Sequence, residues 1–143
     1  MELDASITGY HDALGAIVRG DPAPLLRAYS EADDVTLSNP WGPTRRGQDE
    51  VAAALEHAGT QFRDGGPQAT GHDRAALFRG TDLACLVENE RWQAKVSGRD
   101  ELTPFELRVT TVFRREDRGW TVVHRHADPI TVVNPKGVLG RPD

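Results

Sequence analysis

From Leu107 to Pro129 the chain alternates with a period of two on both sides of a short polar break. Leu107, Val109, Thr111 and Phe113 alternate with Arg108, Thr110, Val112 and Arg114. Beyond the break, Trp120, Val122, His124 and His126 alternate with Thr121, Val123, Arg125 and Ala127. This alternation, rich in Val, Thr and aromatics, predicts two long strands. The segment Glu116-Asp117-Arg118-Gly119 predicts the turn between them, with Gly119 able to take positive φ. Side chains at i and i+2 share a face, so His124 and His126 point the same way, with Asp128 beyond them.

Further strands and a set of helices are written around this hairpin. Ile7, Tyr10, Leu14, Ile17 and Val18 recur at helical spacing and predict a helix over about Asp4–Arg19, capped by Asp4 or Ser6 and stopped by Gly20. Asp21-Pro22 restarts a helix with Leu25, Leu26 and Tyr29 on its apolar face. Val35–Leu37 is a short strand, and Asn39-Pro40-Trp41-Gly42-Pro43 is a loop because its prolines and glycine forbid regular structure. A third helix opens at Gly47-Gln48-Asp49-Glu50, carries Val51, Leu55, Ala58 and Phe62 on one stripe, and closes at Asp64–Pro67. Strands follow over Ala69–Phe78 and Leu83–Val96, then a turn at Ser97–Asp100 and the hairpin. An irregular tail is expected from about residue 131. Helices first and strands after predict an α+β fold: a curved antiparallel β-sheet wrapped around three N-terminal helices as a cone.

With 143 residues and no linker or repeat, the chain is expected to be a single domain over residues 1–143. A net charge of −5 argues against a nucleic-acid partner, which needs a basic face. Cys85 is alone, so it forms no internal disulfide, and its apolar neighbours predict a buried small hydrophobe. That suits a reducing, cytoplasmic setting. The first ten residues have neither the basic nor the apolar region of a secretory signal, and no stretch is long and apolar enough for a membrane span. No phosphate loop, dinucleotide fingerprint or nucleophile elbow is present, so no cofactor is expected.

Three segments carry a family resemblance. They are Asp33–Leu37 with Asn39–Pro43, Arg108-Val109-Thr110, and Gly119-Trp120 through His124–Pro129. With the order of elements, they resemble the nuclear transport factor 2-like (cystatin-like cone) superfamily, and most closely its SnoaL-like branch. The resemblance spans nearly the whole chain. It implies a conical pocket between sheet and helices, and a homodimer through the outer sheet face. It leaves activity open, because the superfamily holds isomerases, cyclases, dehydratases and non-catalytic proteins. Its isomerase members use an aspartate base with a tyrosine donor. Tyr10 lies on the first helix where such a donor could stand, but neither Asp34 nor Asn39 matches the base. In its cyclase members an Asp–His pair lies on late strands, roughly where His124, His126 and Asp128 fall.

His124, His126 and Asp128 are accordingly the candidate acid–base residues, since a histidine beside a carboxylate titrates near neutrality. The same trio has metal-ligand types, with His72 and His57 as distant partners, but a closed zinc site usually needs four ligands and no metal is assigned. Arg108 depends on the turn. A three-residue loop, Asp117–Gly119, pairs Glu116 with Trp120 and sets Val112, Thr110 and Arg108 opposite His124, His126 and Asp128. A two-residue turn shifts the pairing and turns Arg108 to the other face. The three-residue loop is preferred here, placing Arg108, Thr110 and the histidines on the pocket floor with Glu90. The apolar wall is expected from Tyr10, Leu14, Leu55 and Phe62, with Trp41 at the mouth and Trp92 beside it. Glu88, Glu90 and Trp92 share one strand face, where a buried Glu would have a raised pKa. The expected function is binding of a mainly apolar small molecule. The alternative is a cofactor-independent isomerase, cyclase or dehydratase using His/Asp proton transfer.

Overall fold

A computed structural model describes residues 2–65 and 70–129. The expected tail from residue 131 lies outside the described residues, as do Gly66–Ala69. The elements run α1 (Leu3–Ile17), α2 (Ala23–Ala28), β1 (Thr36–Ser38), β2 (Arg45–Arg46), α3 (Gln48–Thr60), β3 (Phe62–Arg63), β4 (Thr70–Arg79), β5 (Leu83–Val96), β6 (Leu102–Glu116) and β7 (Gly119–Pro129). The sheet order is β2-β1-β7-β6-β5-β3, with β4 also paired to β5. The helices pack into the concave side of this sheet, and the core is the layer between them. The architecture is α+β, as predicted.

Three local expectations are corrected. The N-cap of α1 is Glu2, with no side-chain cap hydrogen bond, so neither Asp4 nor Ser6 caps it. Phe62 leaves α3 and joins β3, where it pairs with Val96 of β5. The sheet is mixed rather than purely antiparallel, because β1 runs parallel to β7. No hairpin joins those two strands, so nothing in the connection imposes an antiparallel pairing.

The β6–β7 hairpin contains two departures that cancel. Its turn holds two residues, Asp117 and Arg118, since Glu116 pairs with Gly119, whose φ is 109°. The expected three-residue loop is therefore incorrect. A bulge then inserts Val123, because Phe113 pairs with Val122 while Val112 pairs with His124. Next to this bulge, Val122 O accepts a hydrogen bond from Ser30 N–H at 2.8 Å. Past the bulge the register is the expected one, with Thr110 opposite His126 and Arg108 opposite Asp128.

The face, however, is the opposite one. Leu107, Val109, Thr111 and Phe113 are buried against the helices, together with Arg125 and Ala127 of β7. His124, His126, Asp128, Arg108 and Thr110 therefore lie on the outer face of the sheet. Cys85 is also on that face and is only half-buried, not a core residue.

Candidate functional site

A cavity of about 210 Å³ opens between α1, α3 and the concave sheet face. Its wall is almost wholly apolar. Leu14 comes from α1, Leu55 from α3, Phe62 from β3 and Trp92 from β5. Phe62 is the hub of an aromatic group, with ring centroids 5.3 Å from Trp92 and 5.9 Å from Phe105. Trp41 sits on the rim, edge-on to Phe62 at 5.2 Å and 39% exposed, because the Asn39–Pro43 loop has no strand to pair with. Among the described residues, two polar side chains reach the lining, Asn39 at the rim and Arg125 at the floor.

Arg125 is the anchor of a buried polar cluster behind that floor. Its Nη1 donates to Glu90 Oε2 at 2.8 Å and its Nη2 to Glu90 Oε1 at 2.8 Å, a bidentate pair. Nη1 also donates to the Tyr10 hydroxyl at 2.6 Å, and that hydroxyl shares a 2.9 Å hydrogen bond with Thr111 Oγ1. Trp92 Nε1 donates to Glu90 Oε1 at 2.9 Å, so one indole serves both the apolar wall and the carboxylate. Burial disfavours the Arg125 charge, but the Glu90 carboxylate outweighs it and holds the guanidinium above its ordinary range. Burial pushes the Tyr10 phenol up to about 12, against the opposing pull of Arg125.

A second cluster lies two residues along β5. Glu88, 2% exposed, accepts from His11 Nε2 of α1 at 2.9 and 3.1 Å. His72 of β4 stacks on His11 with ring centroids 3.7 Å apart and planes 9° from parallel. Its Nδ1 is 3.6 Å from Glu88 Oε1, beyond a good hydrogen bond. Burial raises the Glu88 carboxyl, yet the two imidazoles outweigh that and hold it down at about 2.

The predicted residues thus divide into three groups. Trp41, Leu55, Phe62 and Trp92 line the cavity, and Tyr10 and Glu90 stand in the cluster behind its floor. His124, His126, Asp128, Arg108 and Thr110 were expected on the floor and instead face away from it. There, Arg108 makes a bidentate pair with Asp128 at 3.0 and 2.9 Å, and His124 Nδ1 meets Thr36 Oγ1 at 2.7 Å. Burial and the neighbouring His126 lower the pKa of His124. Glu90 and Arg108 do not share a face, because the β5 partner of Arg108 is Asn89. Arg125 and His11 were not among the predicted site residues. The signal for Arg125 was present: it lies opposite Thr111, on the strand face that carries Leu107, Val109 and Phe113.

Comparison with known proteins agrees with this cone. The model of the SnoaL-like domain family matches residues 6–131. The chain belongs to the SnoaL-like domain family. Among solved structures it resembles a ketosteroid isomerase-like protein from Erwinia carotovora atroseptica, with 17% identity, a TM-score of 0.74, and coverage of 91% of this chain and 95% of that one. It also resembles a nuclear transport factor 2-like superfamily protein from Salmonella enterica serovar Typhimurium, with 16% identity, a TM-score of 0.73, and coverage of 93% and 92%. A proposed dehydratase of the nuclear transport factor 2-like family from Streptomyces avermitilis gives 20% identity, a TM-score of 0.69, and coverage of 91% and 94%. At these identities the likeness is one of fold. No curated protein sequence matches the chain.

Proposed function

We propose that this SnoaL-like domain binds a small, mainly apolar molecule in the cone cavity, with a hydrogen-bond acceptor of that molecule directed at Arg125. The observation that carries this reading is the lining itself: an aromatic and aliphatic wall that ends on one guanidinium. Such a mixture is typical of small-molecule sites. Glu90 already neutralises Arg125, so a neutral acceptor such as a ketone suits the floor better than a free anion. Binding is favoured over acid–base turnover because the guanidinium of Arg125 and the phenol of Tyr10 both stand above their ordinary pKa values. Neither exchanges a proton readily near neutral pH. The isomerase, cyclase or dehydratase reading rested on His124, His126 and Asp128, which lie on the other side of the sheet.

The test is a thermal-shift screen of apolar ketones against the parent and an Ala58→Leu variant. Ala58 lines the cavity from α3, so the added carbons fill space that a ligand would need. Saturable stabilisation of the parent that disappears in Ala58→Leu is the expected result. Stabilisation unchanged by the filled cavity would move the site elsewhere.

The proposal extends to assembly and location. Phe78 and Leu83 are 64% and 53% exposed on strands β4 and β5, and a second copy on the outer sheet face would cover them. Sedimentation at micromolar concentration should then give twice the 15.7 kDa chain mass. No helix among the described residues is long and apolar enough to cross a membrane. An unpaired Cys85 is compatible with the reducing cytoplasm we propose as its setting.

A further inference from the structure

The cluster of His11, Glu88 and His72 has no part in the apolar cavity, and none of the three lines it. A hydrogen bond from His11 accounts for the position of the Glu88 carboxylate. It does not account for His72, whose two ring nitrogens are both buried with no hydrogen-bond partner among the described residues. Leaving such groups unpaired is costly, and natural proteins seldom do so without a reason. Two imidazoles and one carboxylate, brought from three separate elements to one point, also form a set of ligand types suited to a borderline-soft cation.

We propose that His11, His72 and Glu88 bind a divalent transition-metal ion of the zinc type. One ligand atom from each residue lies within 4.8 Å of the other two. Around a tetrahedral ion with bonds of about 2.1 Å, ligand atoms stand roughly 3.4 Å apart. The separations from Glu88 Oε1 to His11 Nε2 and His72 Nδ1 are 2.9 and 3.6 Å, on either side of that value. The two rings are stacked, with their in-plane lone pairs in parallel planes, so the ion enters between the three when the carboxylate shifts outward and the imidazoles rotate about Cβ–Cγ out of the stack. Glu88 supplies a negative charge opposite the dication, and its own second neighbour, Glu90 Oε2, is 3.9 Å from His72 Nδ1. The side chains of His11 and His72 are 22% and 13% exposed, so the cluster lies just beneath the surface between α1 and β4. Three protein ligands leave a coordination position for water on that side. Calcium and magnesium fit poorly, because they prefer an all-oxygen shell.

The experiment uses untagged full-length protein, stripped with a chelator and titrated calorimetrically with zinc chloride near neutral pH. A parallel titration with cobalt reports coordination number through its visible absorption. The expected result is one saturable ion per chain, with a cobalt spectrum of low coordination number. His11→Ala, on the partly exposed face of α1, should weaken the affinity by at least about tenfold, as should His72→Ala and Glu88→Gln. The double variant His124→Ala/His126→Ala removes the His-x-His pair of the outer sheet face and should leave the affinity unchanged. The proposal is overturned if no ion saturates at one per chain. It is equally overturned if binding survives His11→Ala, or if it is lost in the outer-face double variant. If His72→Ala or Glu88→Gln fails to fold, the His11→Ala affinity and the parent cobalt spectrum decide the matter.

Discussion

Glu88 and Glu90 stand two residues apart on β5, on the same face, and both are buried. Their partners differ. Glu90 meets a guanidinium that fits it at both oxygens, with an indole N–H on one oxygen and a tyrosine beyond. That cluster is closed, its charges matched and its donors placed. Glu88 meets two imidazoles at the edge of the layer, one bonded to it and one stacked with no hydrogen bond of its own among the described residues. That cluster is open. A carboxylate held by a permanent cation serves as structure and as the back of a pocket floor. One held by imidazoles keeps ring lone pairs available for a further ligand.

The largest effect should come from breaking the closed cluster. Glu90→Ala leaves Arg125 buried and unpaired, and about 3–5 kcal/mol of stability should be lost. Urea midpoints on the variant and on the double replacement Glu90→Leu/Arg125→Met check the mechanism. If the unpaired charge is the cause, the double replacement costs less than Glu90→Ala alone. A double variant worse than the single one would show that the pair itself, rather than the orphaned charge, carries the stability.

Breaking the open cluster should cost less, and its signature is pH dependence. Glu88→Gln keeps a hydrogen-bonding group beside His11, so a loss of about 1–3 kcal/mol is expected. The folded carboxyl sits at about 2, below its ordinary 4.5, so between these values the unfolded chain binds the more protons. Its stabilisation is complete above the ordinary value and is lost as pH falls towards about 2. Midpoints measured through this acid range should fall more steeply for the parent than for Glu88→Gln. Equal slopes would mean that other carboxylates set the acid limit.

The smallest effect is expected where neither cluster is touched. His126 is exposed on the outer face, and His126→Ala should change stability by no more than about 0.5 kcal/mol. Ligand stabilisation in the thermal-shift screen should match the parent. A lost ligand response in this variant would return the binding site to the outer face and separate it from the cavity.

The sequence by itself determined the three helices, the four long strands and the order of β5, β6 and β7. Period-2 alternation marks β5, β6 and β7, and helical spacing marks Ile7, Tyr10, Leu14 and Ile17, because these patterns follow from backbone geometry alone. The shared face of Glu88, Glu90 and Trp92 was legible for the same reason, as was Trp41 on a loop that its prolines keep out of the sheet. Tertiary structure decided which face meets the helices. Alternation says which side chains share a side, not which side water sees, and each strand of the hairpin carries apolar and ionisable residues on both sides. Arg125 is inside because Glu90, 35 positions away, and Tyr10, 115 positions away, meet it there. His11 and Glu88, 77 positions apart, meet by the same packing of α1 on the sheet. A buried charge is tolerated only beside its partner, and those partners are distant in sequence, so only the folded chain brings them together.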